Sequence, residues 1–138
     1  MILFNYETDF KLTDESSVKK WISSCIDSYG FTEGEINYIF CNDEYLHKLN
    51  VQFLSHDTLT DIISFDYTLG KLISGDIFIS VERVKENAIE LSQTFDNELH
   101  RVIIHGVLHY LGFTDKTEEG KLEMRNEEDK CLKLFKTK

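Results

Sequence analysis

TDIISFDYTLGKLISGDIFIS, residues 60–80, is the stretch that decides the fold. Thr60 to Tyr67 is rich in β-branched and aromatic residues and reads as a strand. Gly75 to Ser80 reads as another. Residues 68–74 between them include Gly70 and read as a turn, so the two strands are expected to pair as a hairpin. Ser80 then opens a helix with apolar positions at Val81, Val84, Ala88 and Leu91.

The reading extends outward from this unit. Residues 52–59 before it lack periodicity and read as a loop. Asn42 or Asp43 caps a short helix carrying Tyr45, Leu46 and Leu49, and Glu35 to Cys41 reads as a strand. Val18, Trp21, Ile22, Cys25, Ile26 and Tyr29 recur at spacings of three and four, an amphipathic helix capped by Thr13 or Asp14 and ended near Gly30. Ile2 to Tyr6 is a short β-prone run. Downstream, Asp96 opens a helix that runs to about Leu111, where Gly112 stops it. Glu118 to Phe135 is a last amphipathic helix with Leu122, Leu132 and Phe135 on its apolar side. Strand, helix, strand, helix, two strands, then helices make an α+β fold, with a small mixed sheet of about four strands covered by helices.

Bulk properties fit one domain over residues 1–138, with 41% hydrophobic residues to supply a core. There is no Pro, no internal repeat and no low-complexity tract. The N-terminus lacks the basic, apolar and small-residue regions of a signal peptide. No apolar run approaches the ~18 residues a membrane span needs, so a cytoplasmic protein without membrane association is expected. Cys25, Cys41 and Cys131 are odd in number and lack a C-x-x-C spacing, which predicts free buried thiols rather than a zinc cluster. A net charge of -10 argues against tight non-specific binding to nucleic acid, since phosphate contacts rest on Lys and Arg. The acidic residues concentrate at Asp43-Glu44 and from Glu118 to Asp129.

The chemistry lies in HGVLHYLGFTD, residues 105–115. On a helix, His105 and His109 sit about 40° apart around the axis and one turn along it, so both imidazoles can face one ion. Gly112 can adopt a left-handed conformation that turns the chain back to present Asp115. Two His and one Asp match a catalytic zinc site that keeps a fourth position for water. The spacing follows the zincin pattern H-E-x-x-H-x-x-G-x-x-H except at two positions. Gly106 replaces the Glu and Asp115 replaces the last His. That Glu is the general base of zinc proteases, so its absence argues against a protease.

The same stretch resembles the signature H-G-x-L-H-x-x-G-Y-D-H of the YbeY-type endoribonucleases. His105, Gly106, Leu108, His109 and Gly112 match it, and Phe113 stands where Tyr is usual. Thr60 to Phe65 resembles the family's T-D-V-L-S-F strand, and Gly75-Asp76-Ile77 its G-D-I segment. The matches keep the family's order over roughly residues 35–130. The resemblance implies an α+β fold and one zinc ion held by three residues at these spacings. It also implies a cleft for single-stranded RNA, and cleavage in 16S rRNA maturation and ribosome quality control, with ribosomal RNA and the ribosomal subunit as partners. Two features depart from the family pattern. Asp115 stands at the third ligand position, where His is usual. A carboxylate makes metal-bound water less acidic and moves the preference toward harder ions such as manganese. The Arg usual before T-D-V-L-S-F falls at Leu54, and His56 is the nearest residue that can be cationic.

Asp76 and Lys116 are the candidates for a catalytic side chain, and Thr60 and Ser64 for the wall of the cleft. His47, His56 and His100 lack ligand spacing and read as ordinary surface or capping residues, and Phe65 reads as packing. A ribosome-assembly or RNA-binding module, with a mainly structural metal and little cleavage, is the alternative. The missing base, the missing Arg and the acidic charge favour it, whereas three ligands and an open position favour the enzyme.

Overall fold

The computed structural model describes residues 1–54 and 60–136. His56 and most of the segment read as a loop lie outside them. The elements are β1 (Ile2–Tyr6), α1 (Glu15–Ser28), β2 (Thr32–Cys41), α2 (Asp43–Leu54), β3 (Ile62–Asp66), β4 (Leu72–Ser80), α3 (Val81–Glu90), α4 (Phe95–Tyr110) and α5 (Glu118–Lys136).

The four strands form one sheet in the order β1-β2-β4-β3. β1, β2 and β4 run parallel, and β3 closes the edge antiparallel to β4, with Ile63 opposite Phe78 and Phe65 opposite Asp76. The hairpin and the mixed α+β sheet are therefore as read from the sequence, except that β4 begins at Leu72, within the stretch read as the turn. Parallel neighbours need long crossovers, and α1 supplies the one from β1 to β2.

Strand alternation divides the sheet faces. Ile36, Tyr38, Phe40, Ile73, Ile77 and Ile79 point into the main core, where α1, α3, α4 and α5 cover them. Cys41 and Ile63 on the other face pack with Leu46 of α2, flanked by Leu49, Phe65 and Phe78. Phe65 is packing, as expected, edge-on to Phe53 and Phe78. Helix α1 buries Val18, Trp21, Ile22, Cys25 and Ile26, the face its spacing predicts, and Asp14 caps it by accepting from Ser17 N–H. Each such large apolar side chain contributes about 1.5–3 kcal/mol by leaving water. All three cysteines are buried thiols outside any disulfide, and burial pushes the Cys41 thiol up to about 12.

Several local readings need correction. Helix α2 extends to Leu54, so residues 52–54 belong to it rather than to a loop. In α5 the inward row is Met124, Glu128, Cys131 and Leu132, whereas Leu122 is 64% exposed. The acidic residues around Leu122 gave no sign of which side of the turn faces inward. His100 is neither a cap nor a free surface residue. It stacks on Phe135 with centroids 4.8 Å apart and meets Trp21 edge-on at 5.6 Å.

Two hydrogen bonds fix α4 and α5 to this frame. Tyr38 Oη donates to Ile103 O at 2.9 Å, tying β2 to the middle of α4. Trp21 Nε1 donates to Cys131 O at 2.6 Å, tying α1 to α5. The two helices thus lie side by side, and α4 brings its histidines to their shared edge.

Candidate metal centre

Helix α4 starts at an N-cap, Thr94, whose hydroxyl accepts from Asn97 N–H, and its C-cap is Leu111. Gly112 follows with φ +106°, a left-handed conformation that Gly adopts without Cβ strain. The reversed chain donates Phe113 N–H to Leu108 O at 3.1 Å and turns the Phe113 carbonyl toward His109 Nδ1, also at 3.1 Å. Asp115 then folds back over the last turn of α4.

The C-terminal end of α4 is also pinned to the hairpin. Gly75 lacks a Cβ where the Tyr110 hydroxyl lies, and that hydroxyl contacts Phe65 O at 2.9 Å and Asp76 O at 3.1 Å. A Cβ at Gly75 would lie 2.4 Å from Phe65 O and 2.5 Å from Tyr110 Oη. Gly106 faces the same sheet, and a Cβ there would lie 3.0 Å from Ile77 Cδ1 and 3.2 Å from Ile62 Cδ1. The position that carries the base in zinc proteases is here a packing contact.

Three ligand-type atoms converge at the open edge. His105 Nε2 and His109 Nε2 are 2.9 Å apart, and Asp115 Oδ2 lies 3.4 Å from the first and 3.7 Å from the second. Tetrahedral zinc with bonds of about 2.0–2.1 Å separates its ligands by about 3.3 Å, so this triangle has the right size. The side chains of His105, His109 and Asp115 are 20%, 30% and 41% exposed, which leaves the fourth direction open to solvent.

The hydrogen bonds on the far side of each ring decide what the near side offers. A carbonyl oxygen only accepts, so His109 Nδ1 must donate to Phe113 O. His105 Nδ1 faces Glu128 Oε2 at 2.7 Å, and an ionised carboxylate also only accepts. Both Nδ1 atoms carry the proton, and a neutral ring then has a bare Nε2. Two bare nitrogens and a carboxylate oxygen facing one another repel unless a cation lies between them. His105, His109 and Asp115 therefore form a donor set that could hold a metal ion.

Comparison with known proteins gives the family. Residues 3–136 match the family described as Endoribonuclease YbeY. The chain belongs to the YbeY family of endoribonucleases. A Flavobacterium psychrophilum protein named Endoribonuclease YbeY is 58% identical over 138 residues, covering 100% of this chain and 99% of that protein. One of the same name from Porphyromonas gingivalis is 45% identical over 119 residues, covering 86% of this chain and 79% of that protein. The solution structure of TM1509 from Thermotoga maritima aligns with a TM-score of 0.74 at 26% identity, covering 98% of this chain and 89% of that one. YbeY membership supports an RNA-cleaving, hydrolytic role.

Electrostatics without a metal follow from the same contacts. Burial works against charging His105, but the Glu128 hydrogen bond and the charges of Glu128, Asp115 and Asp61 outweigh it and raise its pKa. Burial and the neighbouring His105 lower that of His109. His105 is thus the more readily charged of the pair.

The other candidate residues lie in different places. Asp76 is not brought to the cluster. Ile77 faces α4, so its neighbour Asp76 points to the opposite sheet face, where it accepts from Asn37 Nδ2 at 3.1 Å. Ser64 lies on the α4 side of β3 and hydrogen-bonds the Tyr110 hydroxyl. Thr60 donates to Ile62 O at 3.3 Å at the entry to β3. Lys116 is exposed, next to Asp115. Leu54, where the family's Arg would fall, ends α2 and is 42% exposed.

Glu128 and Arg101 were not singled out from the sequence. Glu128 is buried and spends one oxygen on His105. Its other oxygen accepts from Arg101 Nη1 at 2.9 Å, while Arg101 Nη2 donates to Asp129 at 2.8 Å. Arg101, one helical turn before His105, was the available signal. Glu128 lies in an acidic helix with nothing in its spacing to mark it. Asp61 is a further addition, half-buried, accepting from Asn87 Nδ2 at 3.3 Å, with a charge that His105 senses.

Proposed function

We propose that this chain is a metal-dependent endoribonuclease of single-stranded RNA that acts in 16S rRNA maturation and ribosome quality control in the cytoplasm. It would hold one divalent ion, zinc in the first instance, through His105, His109 and Asp115. The observation that carries the reading is the convergence of two Nε2 atoms, each with its ring Nδ1 turned to an acceptor, and one carboxylate oxygen. Three protein donors with an open side suit a catalytic rather than a structural site. Bound there, the ion would polarise a phosphate oxygen and lower the pKa of its water.

The chain's own residues do the rest. His105 and His109 present nitrogen lone pairs in fixed tautomers. Asp115 adds a negative charge that draws the cation and tempers the acidity of its water. Lys116 supplies an exposed cation beside the site for a phosphate of the RNA backbone, and Ser64 and Thr60 belong to the wall of the cleft. Asp76 lies on the far face of the sheet, so the attacking group, water or the RNA's own 2′-hydroxyl, would pass its proton to solvent. A module with a structural metal draws support from the displaced Asp76 and from the net charge of -10.

The test is cleavage of ribosomal RNA by metal-loaded protein, alongside His109→Ala and chelated protein. Loss of cleavage in both controls supports the enzyme. Cleavage that persists in both comes from something other than this site and overturns it.

A further inference from the structure

We infer that Glu128, clamped by Arg101, is the positioning residue that commits His105 to binding metal through Nε2. The inference rests on the metal reading above and adds to it the device that prepares the ligand. Imidazole exists in two neutral tautomers, and only the one protonated at Nδ1 offers Nε2 to the site. Glu128 selects it by accepting the Nδ1 proton at 2.7 Å. A lone buried carboxylate would be free to rotate or to take up a proton, and then could not make that selection. Arg101 prevents both, since its Nη1 occupies the second Glu128 oxygen at 2.9 Å and its Nη2 is held by Asp129 at 2.8 Å.

Burial is deepest at Glu128. The side chains of Glu128 and Arg101 are 7% and 14% exposed, and that of His105 is 20% exposed at the mouth. The chain Asp129–Arg101–Glu128–His105 thus runs from solvent through the α4–α5 seam to the site and fixes each member's orientation. His109 has a weaker counterpart, a neutral backbone carbonyl at 3.1 Å. Carboxylate-backed histidines hold metal tightly because the ring is oriented and made more basic, and loss of such a partner costs about 10–100-fold in affinity.

The experiment measures zinc affinity of the full chain by competition with a chromophoric chelator, for wild type, Glu128→Gln and Arg101→Gln, with circular dichroism to establish folding. In parallel, nitrogen-15 shifts of the histidine rings report the tautomer in metal-free wild type. Expected are one zinc per wild-type chain, affinity about 10–100-fold weaker in Glu128→Gln, a smaller loss in Arg101→Gln, and a His105 ring protonated at Nδ1. Wild type that takes up no ion removes the metal reading and this inference together. Wild type that binds, with Glu128→Gln binding within about threefold of it, overturns this inference alone. Should Glu128→Gln not fold, the tautomer decides: a neutral His105 protonated at Nε2 overturns the assignment.

Discussion

Replacing Gly75 by Ala should unfasten the helix that carries the histidines. The added Cβ would sit 2.4 Å from the Phe65 carbonyl oxygen, 2.5 Å from Tyr110 Oη and 2.6 Å from Tyr110 Cζ. The first of these is backbone in an antiparallel pair and cannot swing aside without opening β3 from β4. Overpacking of this kind costs about 1–3 kcal/mol. Expelling the Tyr110 hydroxyl forfeits its bond to Phe65 O and Asp76 O, about 1 kcal/mol more. The sum, about 2–4 kcal/mol, corresponds to a Tm drop on the order of 10 °C for a chain of this size. Urea unfolding with an unchanged m-value is the assay. A double-mutant cycle with Tyr110→Phe sharpens it, because removing the hydroxyl relieves one of the two oxygen contacts and should recover about 1 kcal/mol of the loss. Zinc affinity should fall with stability, since Tyr110 adjoins His109. Stability of Gly75→Ala within about 0.5 kcal/mol of wild type would refute the reasoning.

Two further outcomes follow from individual side chains. Glu98 is buried, its Oε1 has no hydrogen-bond partner among the described residues, and burial raises its pKa against the opposing pull of Arg101 and Arg125. A carboxyl with a raised folded pKa loses stability as pH climbs from its unfolded to its folded value. Glu98→Gln should therefore gain thermal stability over wild type at neutral pH and none at pH 4 and below; an equal difference at both would contradict this. Lys116→Ala should weaken RNA binding and reduce the slope of log affinity against log salt by about 1. Filter binding at several salt concentrations checks it, and an unchanged slope would remove Lys116 from the phosphate contact.

The parts of this protein that were legible in its sequence are those encoded by short spacings. The buried face of α1, the β3–β4 hairpin and the helix stop at Gly112 all follow from local periodicity or a single permissive residue. The convergence of His105, His109 and Asp115 is equally local, because one helix and one left-handed turn bring all three together. Asp76 shows where such reading fails. Strand residues alternate faces, so a position one residue off the buried row sits on the far side of the sheet, whatever its motif. Glu128 failed for the opposite reason. It reaches the site from another helix, 23 residues after His105, and α5 is registered against α4 by Trp21, His100 and Phe135, which come from three separate helices. Leu122 was misjudged because the acidic start of α5 gave equal support to neighbouring phases of the helix.

A crystal grown with zinc and measured at the zinc absorption edge tests the central claim most directly. The account predicts one strong anomalous peak per chain, about 2.0–2.2 Å from His105 Nε2, His109 Nε2 and an oxygen of Asp115, with solvent or a small anion on the open side. A peak held by other residues, or a zinc-soaked crystal with none while Asp115 turns outward, would contradict it.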